Sequence, residues 1–298
     1  MVSFRTNGKL LITGEYAVLK NAKALAVPCK MGQSLSYLPS ERAVLNWESF
    51  DSKKNAWFEA EFNVNTLKLV SSSDVEIGIR LQKLLATTKK MNPSFLSKGG
   101  EVKCHLEFDR SWGLGSSSTL VANIALWANC NPYQLLENSF GGSGYDIGCA
   151  QAEGPITYIR NQNNPIIQTA ELSYPFEANL FFVHLNKKRN SQDAVAAFDL
   201  NKVNQSSIDA ISKLTDRIIA CTDQNSFDSC LKEHEALIGS LLNQLNVQDT
   251  YFSDFKGIVK SLGAWGGDFV LVSGDRHSPN YFRAKGYKTI IPFREMIL

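Results

Sequence analysis

The chain has 298 residues, 44% of them hydrophobic, enough to bury a sizeable core in one large domain or two medium ones. Its 31 Lys and Arg against 29 Asp and Glu leave a formal charge of +2, with no long run of either sign beyond Asn186 to Asn190, which excludes a general nucleic-acid binder. Six scattered cysteines without C-x-x-C spacing read as reduced thiols, and no apolar run, Leu10 to Thr13 included, reaches signal-peptide or membrane-spanning length, so a soluble cytoplasmic protein is expected.

In chain order, the first half reads as strands broken by turns: Lys9 to Gly14, Gln33 to Pro39, Ala43 to Phe50 and Ala56 to Val64, rich in β-branched or aromatic residues. A helix is expected from Asp74, its cap, to about Lys90, with Val75, Ile79, Leu81, Leu84 and Leu85 on one side. Glu101 to Phe108 alternates Val102, Cys104, Leu106 and Phe108 against polar residues and is the clearest strand. A glycine-serine loop follows, then a helix beginning near Thr119 and stopping near Asn131-Pro132. Ala178 to Leu185 reads as a buried strand. Three helices are expected next, about Ser206 to Cys221, Asp228 to Leu245 and Tyr251 to Leu262, with strands at Asp268 to Ser273 and Lys288 to Phe293. The texture turns from strand-rich to helix-rich after Tyr174-Pro175, so the expected domains are residues 1–174 and 175–298. There is no internal repeat.

The loop Ser111 to Ser118, "SWGLGSSS", carries the most chemistry. A helix N-terminus offers unpaired N–H groups and the positive end of its dipole, so it suits an anion. Gly113 and Gly115 allow close backbone approach to phosphate, and Ser116, Ser117 and Ser118 add hydroxyls for phosphate or Mg²⁺. A serine-capped helix after a glycine turn fits the same residues. A Walker loop is excluded, because no G-x-x-x-x-G-K-[ST] occurs, and a dinucleotide fingerprint fits poorly, because Ser118 stands where its third glycine belongs.

Three further segments stand in order around this loop: "NGKLLITGEYAVL" from Asn7, "GGSGYDIGCAQAEGPITY" from Gly141 and "SLGAWGGDFVLV" from Ser261. Together with "WGLGSSST" they resemble the motifs of the GHMP small-molecule kinases, named for galactokinase, homoserine kinase, mevalonate kinase and phosphomevalonate kinase. "GEYAV" and the Gly-Gly-Asp at Gly266 to Asp268 are similar to the phosphomevalonate kinase branch. The sequence departs from the family at Asp109 to Trp112, where a proline and small residues usually stand, at Ser118-Thr119, where alanines are common, and at Trp265, a usual glycine position.

The resemblance implies an α/β (α+β) two-domain fold, with a strand-rich N-terminal nucleotide-binding domain and a ferredoxin-like helical/β C-terminal domain. It implies ATP and Mg²⁺: Gly113, Leu114, Gly115, Ser116, Ser117 and Ser118 at the phosphates, Ser117 on the metal, and Glu137 as the nearest second metal ligand, although its spacing to Asp146 is short and a solvated glutamate fits equally. Asp146 would be the base, with Lys9 beside it as the cation. Substrate-side positions fall at Glu15, Gly266 and Gly267, and at Lys187, Lys188, Arg189 and Ser191, a basic loop that also suits a solvated turn. The four histidines look uninvolved. The leading reading is an ATP-dependent kinase acting on a mevalonate-pathway acid, phosphomevalonate ahead of mevalonate. A GHMP kinase acting on a sugar and a non-catalytic ligand-binding relative are the alternatives. The expected partners are ATP and a small substrate, with no nucleic acid or membrane, and a homodimer stays open.

Overall fold

The computed structural model describes residues 1–161, 164–188 and 191–298. The chain divides into two compact units: Met1–Gly8, Met31–Arg110 and Leu114–Gln151 form one, and Lys9–Lys30, Ser111–Gly113 and Ala152–Leu298 form the other. Tyr174-Pro175 lies inside the second unit, as does the segment holding Lys9 and Glu15.

Strands β1 (Val2–Leu11) and β2 (Ala24–Ser40) each contribute residues to both units. The first unit continues with β3 (Val44–Phe50), β4 (Ala56–Asn63), β5 (Leu69–Ser72), helix α1 (Val75–Met91) and β6 (Gly99–Leu106), then α2 (Ser116–Ala128), α3 (Pro132–Ser139) and α4 (Tyr145–Ala150). Its strand order is β5-β4-β3-β6-β2, with β3 and β6 parallel and the other neighbours antiparallel, so the sheet is mixed. Alternation decides which face is buried: Leu45 and Trp47 of β3 and Val102 and Cys104 of β6 point into a core closed by Leu81, Leu84 and Leu85 of α1 and by Val121, Ile124 and Ala125 of α2. Val75 and Ile79, expected on the apolar side of α1, stay exposed, while Asp74 caps the helix by accepting from Ile77 N. Helix α2 begins three residues before the expected Thr119, because Gly115 takes the left-handed entry conformation (φ 89°) and the serines enter the first turn. It ends at Asn129 (φ 48°), ahead of Pro132.

The second unit holds β7 (Ile156–Ile159), β8 (Ile166–Thr169), β9 (Leu180–His184), α5 (Ser191–Ala196), α6 (Gln205–Ile219), α7 (Gln224–Leu242), α8 (Val247–Tyr251), β10 (Ile258–Ser261), β11 (Phe269–Ser273), α9 (Ser278–Ala284), β12 (Ile290–Pro292) and α10 (Phe293–Met296). β7 pairs antiparallel with the start of β2 and with β8, and a four-stranded sheet runs β10-β11-β9-β12, antiparallel throughout. Helix α7 starts at Gln224 instead of Asp228, because Asp223 provides the cap by accepting from Ser226 N. The helix expected over Tyr251 to Leu262 does not form. α8 stops at Tyr251, and Ile258 to Ser261 pair with Ser273 to Val270. Gly257 permits this pairing, since a Cβ there would lie 2.2 Å from Ser273 O, and the β-branched Ile258 and Val259 suit a strand. No helix of the described residues is long and apolar enough to cross a membrane.

Candidate active site

In the first unit, the site begins at the mouth of α2. The first helical backbone bond to Gly115 O comes from Thr119 N at 2.9 Å, which leaves the N–H groups of Ser116, Ser117 and Ser118 ahead of the intrahelical ladder, as an anion site requires. Leu114 is fully buried and anchors the loop. The first turn is held from below: Thr6 Oγ1 donates to Thr119 O (3.0 Å), Thr119 Oγ1 meets Gln33 Oε1 (2.6 Å), and Asn123 Nδ2 donates to Gln33 O (2.9 Å). The three serines diverge. Ser117 is exposed and Ser116 half-buried, but Ser118 is buried and its hydroxyl donates to Asp146 Oδ2. Asp146 sits in the first turn of α4, entered through Gly144 at φ 86°. The Tyr133 phenol of α3 also faces Asp146, and burial, with Cys149 and Asp146 nearby, pushes it far above its ordinary value. Glu137 lies exposed on α3, and among the described residues no three His, Cys, Asp or Glu side chains gather as a metal site.

In the second unit, Lys9 Nζ donates to Gly113 O at 2.9 Å. Gly113 has φ +67°, and a Cβ there would stand 2.2 Å from Asp268 Oδ2, so the carboxylate of the C-terminal glycine motif packs directly on the loop glycine. Asp268, itself at φ 53°, donates its N–H to Lys187 O (2.7 Å) and accepts from Leu185 N (2.8 Å), which ties the basic loop to that motif. Lys187 and Lys188 are exposed, Gly266 is half-buried at φ 74°, Gly267 is buried, and Ser191 opens α5; Arg189 lies outside the described residues. Trp112 meets Phe269 edge-on at 5.6 Å, and His184 Nε2 lies 3.3 Å from Ser111 O. Lys9, Gly113, Asp268 and Lys187 are thereby brought together. Asp268 has no role in the sequence reading, although its place at the end of "GAWGGD" marks it.

Glu15 stands apart from this surface. It is wholly buried and paired with Lys260, whose Nζ donates to Glu15 Oε1 at 2.5 Å and to Ser261 O at 2.8 Å, with Glu235 Oε1 at 3.6 Å. The 3.4 Å approach of His234 Nε2 to Glu15 Oε2 is not an ion pair: burial, then Lys260, pushes the imidazole well below its usual value, and Nε2 accepts from Gly14 N at 3.1 Å. Sequence reading missed Lys260 and Glu235. The available signal was a lysine inside the apolar run Ile258 to Leu262.

Burial pushes the Glu235 carboxyl up to about 7, with Lys260 opposing. A group raised in the fold contributes stability that is present below its unfolded value and lost as pH rises through its folded value. Glu235→Gln should therefore gain on the parent as pH rises from about 5 to 7 and keep that gain at pH 8. Thermal melts of both proteins over this range test it, and a pH-independent difference would contradict it.

No family model and no curated protein sequence matches the chain. Solved structures do match. The mevalonate kinase of Methanococcus jannaschii has a TM-score of 0.69 at 15% identity, covering 97% of this chain and 96% of its own. The Streptococcus pneumoniae phosphomevalonate kinase solved with phosphomevalonate and AMPPNP has 0.69 at 17%, covering 96% of each chain. Lactococcus lactis galactokinase, solved with galactose, has 0.67 at 12%, covering 97% and 93%. The chain has the mixed α/β fold of the GHMP kinases.

Proposed function

We propose that the protein is an ATP-dependent small-molecule kinase whose acceptor is a mevalonate-pathway acid, phosphomevalonate ahead of mevalonate. The observation that carries this reading is the Ser118–Asp146 hydrogen bond, which sets a carboxylate against the first turn of the helix opened by the glycine-serine loop. Phosphoryl transfer needs an anion cradle, a cation and a group that orients or deprotonates the attacking hydroxyl. The N–H groups of Ser116 to Ser118 would take phosphate oxygens, Asp146 would accept the hydroxyl proton, and Lys9, held at the Gly113 carbonyl, would supply positive charge. The exposed Ser117 hydroxyl fits Mg²⁺, which takes few protein ligands and keeps phosphate oxygens and water for the rest; Glu137 is the second candidate ligand. When bound, Mg²⁺ neutralises charge on the phosphates.

A coupled ADP-release assay with MgATP against phosphomevalonate, mevalonate and galactose tests the reading. Galactose belongs in the panel because the likeness to galactokinase is nearly as strong. Turnover of phosphomevalonate is expected; turnover of galactose alone would move the acceptor to a sugar, and no ADP release with any acceptor would remove the kinase reading.

The acceptor assignment rests on charge. Phosphomevalonate brings a second anion beside the triphosphate, and the loop bonded to Asp268 offers Lys187 and Lys188. Replacing both by Gln should raise the KM for phosphomevalonate at least about tenfold, since one charge-assisted contact is worth roughly 1.5–3 kcal/mol, and leave the KM for ATP unchanged. A parent-like double variant would favour mevalonate.

A further inference from the structure

Where GHMP kinases commonly carry alanine, this chain has Ser118, and its hydroxyl does not point out with those of Ser116 and Ser117. It turns inward to donate to Asp146 Oδ2, joining the first turns of α2 and α4. A buried hydroxyl requires a partner, and a carboxylate is the strongest acceptor a side chain can offer. The other carboxylate oxygen, Oδ1, takes the Ile147 N–H at 3.2 Å and, with two lone pairs, keeps the capacity for a further hydrogen. The turn that carries Ser118 is itself held by Thr6 and Gln33 through Thr119, which fixes the backbone from which the hydroxyl is presented.

We infer that Ser118 is a positioning residue: its hydroxyl sets the rotation of the Asp146 carboxylate so that Oδ1 meets the acceptor hydroxyl, and it does not serve the phosphate cradle. This rests on the reading of Asp146 as the base. A cradle donor would act on nucleotide binding, a mere staple between α2 and α4 would act on stability, and a positioning residue acts on turnover and only through Asp146.

The test is a double-mutant cycle read by ADP release with MgATP and phosphomevalonate, or whichever acceptor of the panel turns over. It uses the parent, Ser118→Ala, Asp146→Asn and the double variant, with Ser118→Thr as the conservative replacement and thermal melts on each. Ser118→Ala should lower kcat about tenfold with the KM for ATP within about twofold, and Ser118→Thr should recover most of the loss. In the Asp146→Asn background the same Ser118→Ala change should alter kcat by less than about twofold. A loss that persists undiminished in that background, a loss carried by the KM for ATP, or parent-like turnover of Ser118→Ala overturns the inference while leaving Asp146 as base. Parent-like turnover of Asp146→Asn alone overturns both.

Discussion

Asp146→Asn is expected to lower kcat by a factor of about a hundred or more while the KM for ATP stays within about twofold of the parent, because a general base acts in the transition state and not on the bound nucleotide. The substitution is close to isosteric. An amide oxygen can still accept from Ser118, so the junction of α2 and α4 should survive and the melting temperature should barely move. What is lost is the group that, under the proposed function, would take the proton from the attacking hydroxyl. Steady-state kinetics with MgATP varied at saturating acceptor, beside a melting curve, separate the two effects. Near-parental kcat would mean that Lys9 and Mg²⁺ position an acceptor that needs no base, and a large rise in the KM for ATP would return Asp146 to the nucleotide site.

Lys260→Met is expected to cost about 3–5 kcal/mol of stability, the range for removing one partner of a buried ion pair. Lys260 and Glu15 are both fully buried, and burial already pushes the Glu15 carboxyl up against the pull of Lys260. With the ammonium gone, Glu15 and Glu235 would face each other's charge without compensation and would have to bind protons. Against a typical total of about 5–15 kcal/mol, this should lower the melting temperature by roughly ten degrees. Replacing Glu15 by Gln in the same chain removes the stranded charge, so the double variant should recover part of the loss. The pair also fastens the turn at Gly14 to Tyr16, where the Tyr16 hydroxyl donates to Ala264 O at 2.9 Å. A melting temperature within about two degrees of the parent would show that the cluster is not stabilising.

The alternation of Glu101 to Phe108, the Asp74 cap and the glycine-serine loop with its helix were legible in the sequence because each is decided within a few neighbouring residues. The same local reading placed Asp146 after a glycine turn, where α4 begins. It failed at Tyr251 to Leu262, where helical spacing lost to pairing with β11, a partner some residues further along the chain. It also could not show that the packing of α4 on α2 turns the Ser118 hydroxyl, assigned with Ser116 to the phosphates, towards Asp146. Lys260 and Glu15 are 245 positions apart, and nothing near either residue announces the other. Asp268 looks like the end of a turn until Gly113 is found against its carboxylate.

By itself, then, the sequence determined much of β2, strands β3, β4, β6, β9, β11 and β12, helices α1, α2, α6 and α7, and the glycine-serine mouth of α2, because dihedral preference, capping and burial periodicity act between near neighbours. The tertiary structure alone decided which hydroxyl faces Asp146, which charge neutralises Glu15 and which carboxylate lies on the loop glycine. Those outcomes depend on electrostatic and steric complementarity between side chains far apart in sequence, and such complementarity exists only once the chain has closed around them.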